Sequence, residues 1–202
     1  MNLNRETAVI IPAYKPDDRL PPYVAALKDA GIGKIVIVDD GSREDEQHWF
    51  DAAAAHPQCH VLHHGVNKGK GRALKTAFAY VLEHMPQVKG VVTIDGDGQH
   101  LLPDIIACAQ RMLENPDKVV LGCRNFDLPG IPARSVAGNK TTRRLFRLCY
   151  GIKLSDTQTG LRAIHARYLP RFCRIEGERF EYETNMLLAM KDNGLAFDEV
   201  KI

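Results

Sequence analysis

Two short runs of β-branched residues each stop on acids, and this constrains the chain more than any other feature. Lys34-Ile35-Val36-Ile37-Val38 runs into Asp39-Asp40-Gly41-Ser42, and Val91-Val92-Thr93-Ile94 runs into Asp95-Gly96-Asp97-Gly98-Gln99-His100. Apolar runs of this length read as buried strands. Helical segments separate them. Ala8 to Ile11 is expected as a strand, Leu20 to Ala30 as a helix, Lys34 to Val38 as a strand and about Glu44 to Ala55 as a helix. A short strand around Val61-Leu62, a helix from Gly71 to Met85 and a strand from Gly90 to Ile94 follow. Leu102 to Glu114 is helical and Val119 to Gly122 a strand. Such alternation predicts an α/β fold with a mostly parallel sheet covered by helices on both faces. Ligands of such sheets collect at the carboxyl ends of the strands, which is where both acidic pairs fall.

Chemistry follows from that placement. Asp95 and Asp97 suit a hard divalent cation, Mg²⁺ or Mn²⁺, which takes one or two carboxylates together with phosphate oxygens. Gln99 adds a neutral oxygen, and Gly96 and Gly98 allow close approach of a ligand. A tight turn also explains an Asp-Gly pair but needs only one Asp, and the second acid pair at a strand end favours the metal. Asp39 or Asp40 can accept a hydrogen bond from a base or ribose, or cap the helix near Glu44. Gly65 to Ala77 (GVNKGKGRALKTA) is a Gly-rich turn bearing Lys70 and Gly71 at a helix entrance, a place suited to a diphosphate. It matches neither the P-loop nor the dinucleotide fingerprint.

The rest of the chain bounds the reading. Its 202 residues suit one domain, and a net charge of +2 gives no sign of a nucleic-acid partner. Five cysteines without a CxxC pair point to reduced thiols. No apolar run reaches the length of a membrane span, and the N-terminus lacks the form of a signal peptide. Asn125 to Ser135 is rich in Pro and Gly and reads as a mobile loop. Val136 to Tyr150 is expected to be helical, Gly160 to Ile164 a strand and Tyr182 to Asn193 helical. The closing AFDEVKI alternates like a strand, and its abrupt end suggests a piece of a longer protein. Lys140, Arg143, Arg144 and Arg147 share one face of their helix, a candidate for a membrane surface or simply for solvent. Leu145, Leu148, Cys149 and Ile152 fall on another face, expected in the core.

In order, VIIPAYKPD, VDDGS, NKGKGRALKTA and IDGDGQH resemble the family 2 glycosyltransferases with the GT-A fold. The resemblance implies a three-layer sandwich whose nucleotide-sugar-binding half is 1–124 and whose acceptor half is 125–202. It implies a UDP- or GDP-sugar donor near Pro12, Ala13, Tyr14, Asp40, Lys70, Gly71, Asp95 and Gly96, and a metal on Asp95, Asp97 and Gln99. Where many members read PAYNE, this chain has Pro12-Ala13-Tyr14-Lys15-Pro16, so the base stays open. Downstream, DTQTGLRAI and RFEYETNMLL resemble the branch acting on polyprenyl phosphates. Arg124, Arg134, Ser135, Gln158, Thr159 and Arg162 are then acceptor-side candidates, with Arg124 and Arg162 gripping the lipid phosphate. Members of this branch work at the cytoplasmic face of a membrane, often with C-terminal membrane helices, and a homo-oligomer is compatible with the reading. The expected reaction is inverting transfer of a hexose. An acceptor phosphate needs no strong base, whereas a sugar hydroxyl, the alternative acceptor in surface polysaccharide synthesis, would need Asp156, Glu181 or Glu183 as one. A haloacid-dehalogenase-like phosphatase would place its DxD on the first strand, which this chain does not. A catalytically silent nucleotide-sugar-binding module is the remaining rival.

Overall fold

Period-two alternation divides the interior into two cores. Along the first strand Ala8 and Ile10 face one way and Val9 and Ile11 the other, and all four are fully buried. The computed structural model describes residues 3–126 and 133–202, with side chains for 5–126 and 137–202. Its strands are β1 (Thr7–Ala13), β2 (Ile35–Asp39), β3 (Cys59–His63), β4 (Gly90–Thr93), β5 (Lys118–Cys123), β6 (Arg162–His165) and β7 (Ala196–Lys201). Its helices are α1 (Leu3–Glu6), α2 (Leu20–Asp29), α3 (Gln47–Ala54), α4 (Lys70–His84), α5 (Leu102–Glu114), α6 (Ala133–Tyr150), α7 (Leu169–Phe172) and α8 (Glu181–Asp192).

All seven strands form one sheet in the order β3-β2-β1-β4-β6-β5-β7. It is mostly parallel, and only β6 runs antiparallel to its neighbours, with Ala163 opposite Val92 on one side and Val120 on the other. Helices α2, α3 and α5 cover one face, where Leu20, Val24, Phe50, Ile105 and Met112 pack. In α5 the buried residues Ile105, Cys108, Ala109 and Met112 recur at i, i+3, i+4 and i+7, the stripe that docks a helix on a sheet. Helices α4, α6, α7 and α8 supply Phe78, Phe146, Phe172 and Tyr182 to the other face. The result is the expected three-layer GT-A arrangement. β1, β2 and β4 are parallel, so Asp39-Asp40 and Asp95-Asp97 emerge at the same edge.

Strand and helix positions agree with expectation to within a few residues, but α1, α7 and the 3₁₀ turn Ala166–Tyr168 had no counterpart. Most of the expected loop at 125–135 lies outside the described residues. On α6 the expected core face is wrong. Leu145 and Leu148 are 52% and 83% exposed, and Cys149 is exposed. The helix docks instead through Asn139 and Phe146, both buried, with Asn139 Nδ2 donating to the Ser155 carbonyl at 3.0 Å. That rotation turns the leucines outward. Ile152, just past the helix, is buried as expected.

Candidate active site

The carboxyl edge of the sheet carries a cavity of about 590 Å³. Pro12, Ala13 and Tyr14 from the end of β1, Asp40 from β2, Lys70 from α4, and Asp95, Gly96 and Asp97 from β4 all line it. Tyr14 is half-exposed at this wall. Lys15 beside it has φ +53°, the left-handed region uncommon for a non-glycine, and its N–H donates to Ser42 Oγ at 2.9 Å.

The Gly-rich turn is braced from within. Asp40 is buried, and its carboxylate accepts from the N–H of Lys68 at 2.9 Å, the N–H of Gly69 at 2.7 Å and His64 Nδ1 at 2.7 Å. The expectation that these amides cradle a diphosphate therefore gives way, because Asp40 already occupies two of them. For the same reason a nucleoside hydrogen bond to Asp40 has to share or displace one of three donors. Gly69 has φ +101°, and a side chain there would collide with the Glu178 carbonyl. Gly71 does not line the cavity; it presses against Tyr182, again too closely for a side chain.

Lys70 reaches into the cavity. Its Nζ lies 2.7 Å from Asp95 Oδ1 and 2.8 Å from Glu183 Oε2. Burial works against this charge, but Glu183 and Asp95 outweigh it and raise the lysine above its ordinary value. Burial likewise favours a neutral Asp95, yet His100 and Lys70 prevail and hold its carboxyl well below the usual carboxylate range. His100 sits with Nε2 3.4 Å from Asp95 Oδ2. That nitrogen is buried and has no hydrogen-bond partner among the described residues. The only hint in the sequence was its place in the same turn as the two acids.

A second cavity, of about 130 Å³, meets the first at Asp95. Its other walls include Gln99, His100, Arg124, Gln158 and Thr159. Gly160 lies against the Asp95 carboxylate where no side chain would fit, and Thr93 Oγ1 donates to its carbonyl at 2.9 Å. Arg124 forms a two-pronged pair with Asp156, through Nε at 2.7 Å and Nη2 at 3.2 Å. Asp156 is buried and raises the arginine further.

Arg162 requires a correction. It is 1% exposed and lines neither cavity. Its Nη1 donates to the Glu183 carbonyl at 2.8 Å and its Nε to the Thr159 carbonyl at 3.3 Å. A guanidinium buried in this way braces the walls and cannot meet a lipid phosphate. The side chains of Arg134 and Ser135 lie outside the described residues.

The donor set fits a hard cation. Two carboxylates share one turn, and the orphaned His100 nitrogen stands beside them. The expected trio is divided, however, since Asp97 lines the first cavity and Gln99 the second, with Asp95 common to both. Among the described residues no cluster of three acids, histidines or cysteines is poised as a metal cage.

A strand-edge cavity of this kind, with paired acids, a buried lysine and a neighbouring arginine pocket, suits an enzyme that handles phosphorylated substrates. Residues 8–172 match Glycosyl transferase family 2, so the chain belongs to that family and is a glycosyltransferase. It is 28% identical over 205 residues to the undecaprenyl-phosphate mannosyltransferase of Micrococcus luteus, covering 96% of this chain and 81% of the relative. It is 26% identical over 211 residues to a UDP-N-acetylglucosamine–dolichyl-phosphate N-acetylglucosaminyltransferase of Methanococcus voltae, covering 96% and 83%. Among solved structures it resembles glucosyl-3-phosphoglycerate synthase of Mycobacterium tuberculosis, solved with Mn²⁺, UDP-glucose and phosphoglyceric acid. The TM-score is 0.71 at 20% identity, over 98% of this chain and 69% of the other, a likeness of fold alone.

Proposed function

We propose that the chain transfers one hexose, with inversion, from a nucleoside-diphosphate sugar to a polyprenyl phosphate at the cytoplasmic face of a membrane. One observation carries this reading: Asp95 stands where a large cavity and a small arginine-bearing cavity meet. The donor occupies the first, with its base by Tyr14 and its diphosphate toward Lys70, Asp95 and Asp97. The acceptor phosphate enters the second, toward Arg124, Gln158 and Thr159. The polyprenyl-phosphate names of both relatives support the acceptor class.

An acceptor oxygen attacks the anomeric carbon from the second cavity as the bond to the diphosphate breaks, and the nucleoside diphosphate leaves with the electron pair. A Mg²⁺ or Mn²⁺ on Asp95 and Asp97, with Gln99 or His100 as a further ligand, would neutralise charge on that leaving group. Lys70 brings a second positive charge to the same side, held in place by Glu183. No base is required, since a phosphate monoester is largely dianionic above its second pKa of about 6. The carboxylates that a hydroxyl acceptor would need are otherwise engaged. Asp156 holds Arg124, Glu183 holds Lys70, and Glu181 accepts from the N–H groups of Glu178 and Arg179.

The test is release of UDP or GDP from a panel of nucleotide sugars with a short-chain polyprenyl phosphate or the matching free polyprenol. Release should require the phosphate and fall on the acid side of pH 6. Equal turnover with a hydroxyl acceptor would overturn the proposal.

A further inference from the structure

Phe180 lines the larger cavity with 77% of its surface exposed, and none of the roles above falls to its ring. Isolated apolar residues are common on soluble surfaces. This one stands in a concave site, on a backbone fastened from several sides. The Glu178 carbonyl accepts from the Arg72 N–H at 2.9 Å, and its carboxylate accepts from Arg72 Nη2 at 2.8 Å and Lys75 Nζ at 3.1 Å. Gly177 turns the chain with φ +101°, where a side chain would press on Glu181 and Tyr182. Glu181 then takes the N–H groups of Glu178 and Arg179 at 2.9 and 3.1 Å. Among the described residues no other ring or cation stacks on Phe180. An aromatic ring held this way in a cavity is preorganised for a ligand.

Its place identifies which part of the donor it meets. Phe180 has helical φ and ψ at the start of α8, so it shares a face with Glu183 one turn on, with about 5–6 Å between their Cβ atoms. Glu183 holds Lys70, and Lys70 reaches Asp95, where the two cavities meet. The ring therefore borders the groups assigned to the diphosphate, and the hexose is bonded directly to that diphosphate. The base, separated from the hexose by a ribose and two phosphates, belongs with Tyr14 at the end of β1. We propose that Phe180 is the platform for the transferred sugar, stacking against the C–H face of the pyranose. Those C–H groups carry a slight positive charge, which the negative face of an aromatic ring attracts. Arg179 beside it also lines the cavity and forms no ion pair among the described residues, so hydroxyl-binding N–H groups adjoin the apolar face. The inference rests on the donor assignment proposed above, and it adds the residue that distinguishes a nucleotide sugar from its nucleotide.

Calorimetric titration of the full chain in Mn²⁺, with a panel of UDP- and GDP-sugars and with UDP and GDP alone, tests it. Phe180→Ala should lower affinity for the nucleotide sugar that the wild type binds by about 10-fold. Affinity for the matching free nucleotide should stay unchanged. Phe180→Tyr should bind like the wild type, and Phe180→Leu should fall between, because leucine offers apolar area without an aromatic face. Melting curves establish that each variant is folded. Equal losses with and without the sugar would put the ring on the nucleoside and overturn the inference. Unchanged donor binding with a raised acceptor KM would put it against the lipid chain, with the same result. A wild type that binds no nucleotide sugar removes the donor reading and this inference together. If the sugar-dependent loss holds but no polyprenyl phosphate accepts sugar, only the acceptor reading fails and this one stands.

Discussion

The two cavities that meet at Asp95 are built by opposite means. The larger is braced from within: Asp40 ties down the Gly-rich turn, Lys70 is held between two carboxylates, and Arg179 Nη1 donates to Asn67 Oδ1 at 3.3 Å. The smaller depends on Arg124, whose side chain is 49% exposed and anchored on one side by Asp156. Fixed dipoles and charges lower a barrier without reorganising at the moment of reaction, which suits the side where a diphosphate departs. A half-exposed arginine suits a substrate that must arrive and leave.

The sharpest way to break this contrast is at Asp97. Asp97→Asn should cut transfer by about 1,000-fold, in the range of losing one major electrostatic stabiliser. Calorimetric titration with UDP or GDP should show weaker binding in Mn²⁺ and little change in chelator; an equal loss in both would remove Asp97 from the metal.

The two arginines give the next largest effect. Arg162→Met should destabilise the fold by about 2–4 kcal/mol, since it strands two buried carbonyls. Once folded at low temperature it should show a near-normal acceptor KM. Arg124→Lys keeps a cation beside Asp156 but loses the fork, and should raise acceptor KM about 10-fold with donor affinity unchanged. Thermal melts beside steady-state kinetics would separate the two, and an acceptor KM defect confined to Arg162 would reverse the assignment.

The smallest effect belongs to Asp39, which accepts from the Ser42 N–H at 2.8 Å, Gln47 Nε2 at 2.9 Å and His63 Nδ1 at 3.1 Å. Burial raises its carboxyl, but these donors outweigh it and the net shift is downward. A lowered folded pKa stabilises above the unfolded value of about 3.9 and loses that contribution as pH falls through the folded one. Asp39→Asn should therefore cost roughly 1–2 kcal/mol at pH 5 to 7, and the gap should close below about pH 4. Urea unfolding at several pH values checks the sign; a gap that widens in acid would refute it.

The residues that line the larger cavity were largely legible because their signals are local. An apolar run ending on Asp, or a Gly-rich turn opening a helix, places its residues without distant information. What stayed hidden depends on contacts far apart in sequence. Nothing near Lys70 announces Glu183, and nothing near Asp40 shows that its carboxylate serves residues 68 and 69. Arg162 resembled a binding arginine because a strand pattern does not reveal which side chains another helix will cover. Leu145 and Leu148 were expected in the core because helical spacing marks an apolar stripe without saying what lies against it.

Strand β6 lies between β4 and β5, although it follows β5 by almost 40 residues, and its position governs the order of assembly. As the chain leaves the ribosome, β4 and β5 emerge with no partner to join them. The edges they expose stay open until Arg162 to His165 arrive and pair with both. The larger cavity matures later still, because Arg179 belongs to its walls and Glu183 holds the lysine that reaches into it. At ordinary rates of synthesis the interval between Asp95 and Glu183 is on the order of ten seconds. Through that interval Lys70 and the paired acids are already made but Glu183, the second carboxylate that holds the lysine, is not, so the cavity is incomplete while the open strand edges are most exposed to misassembly.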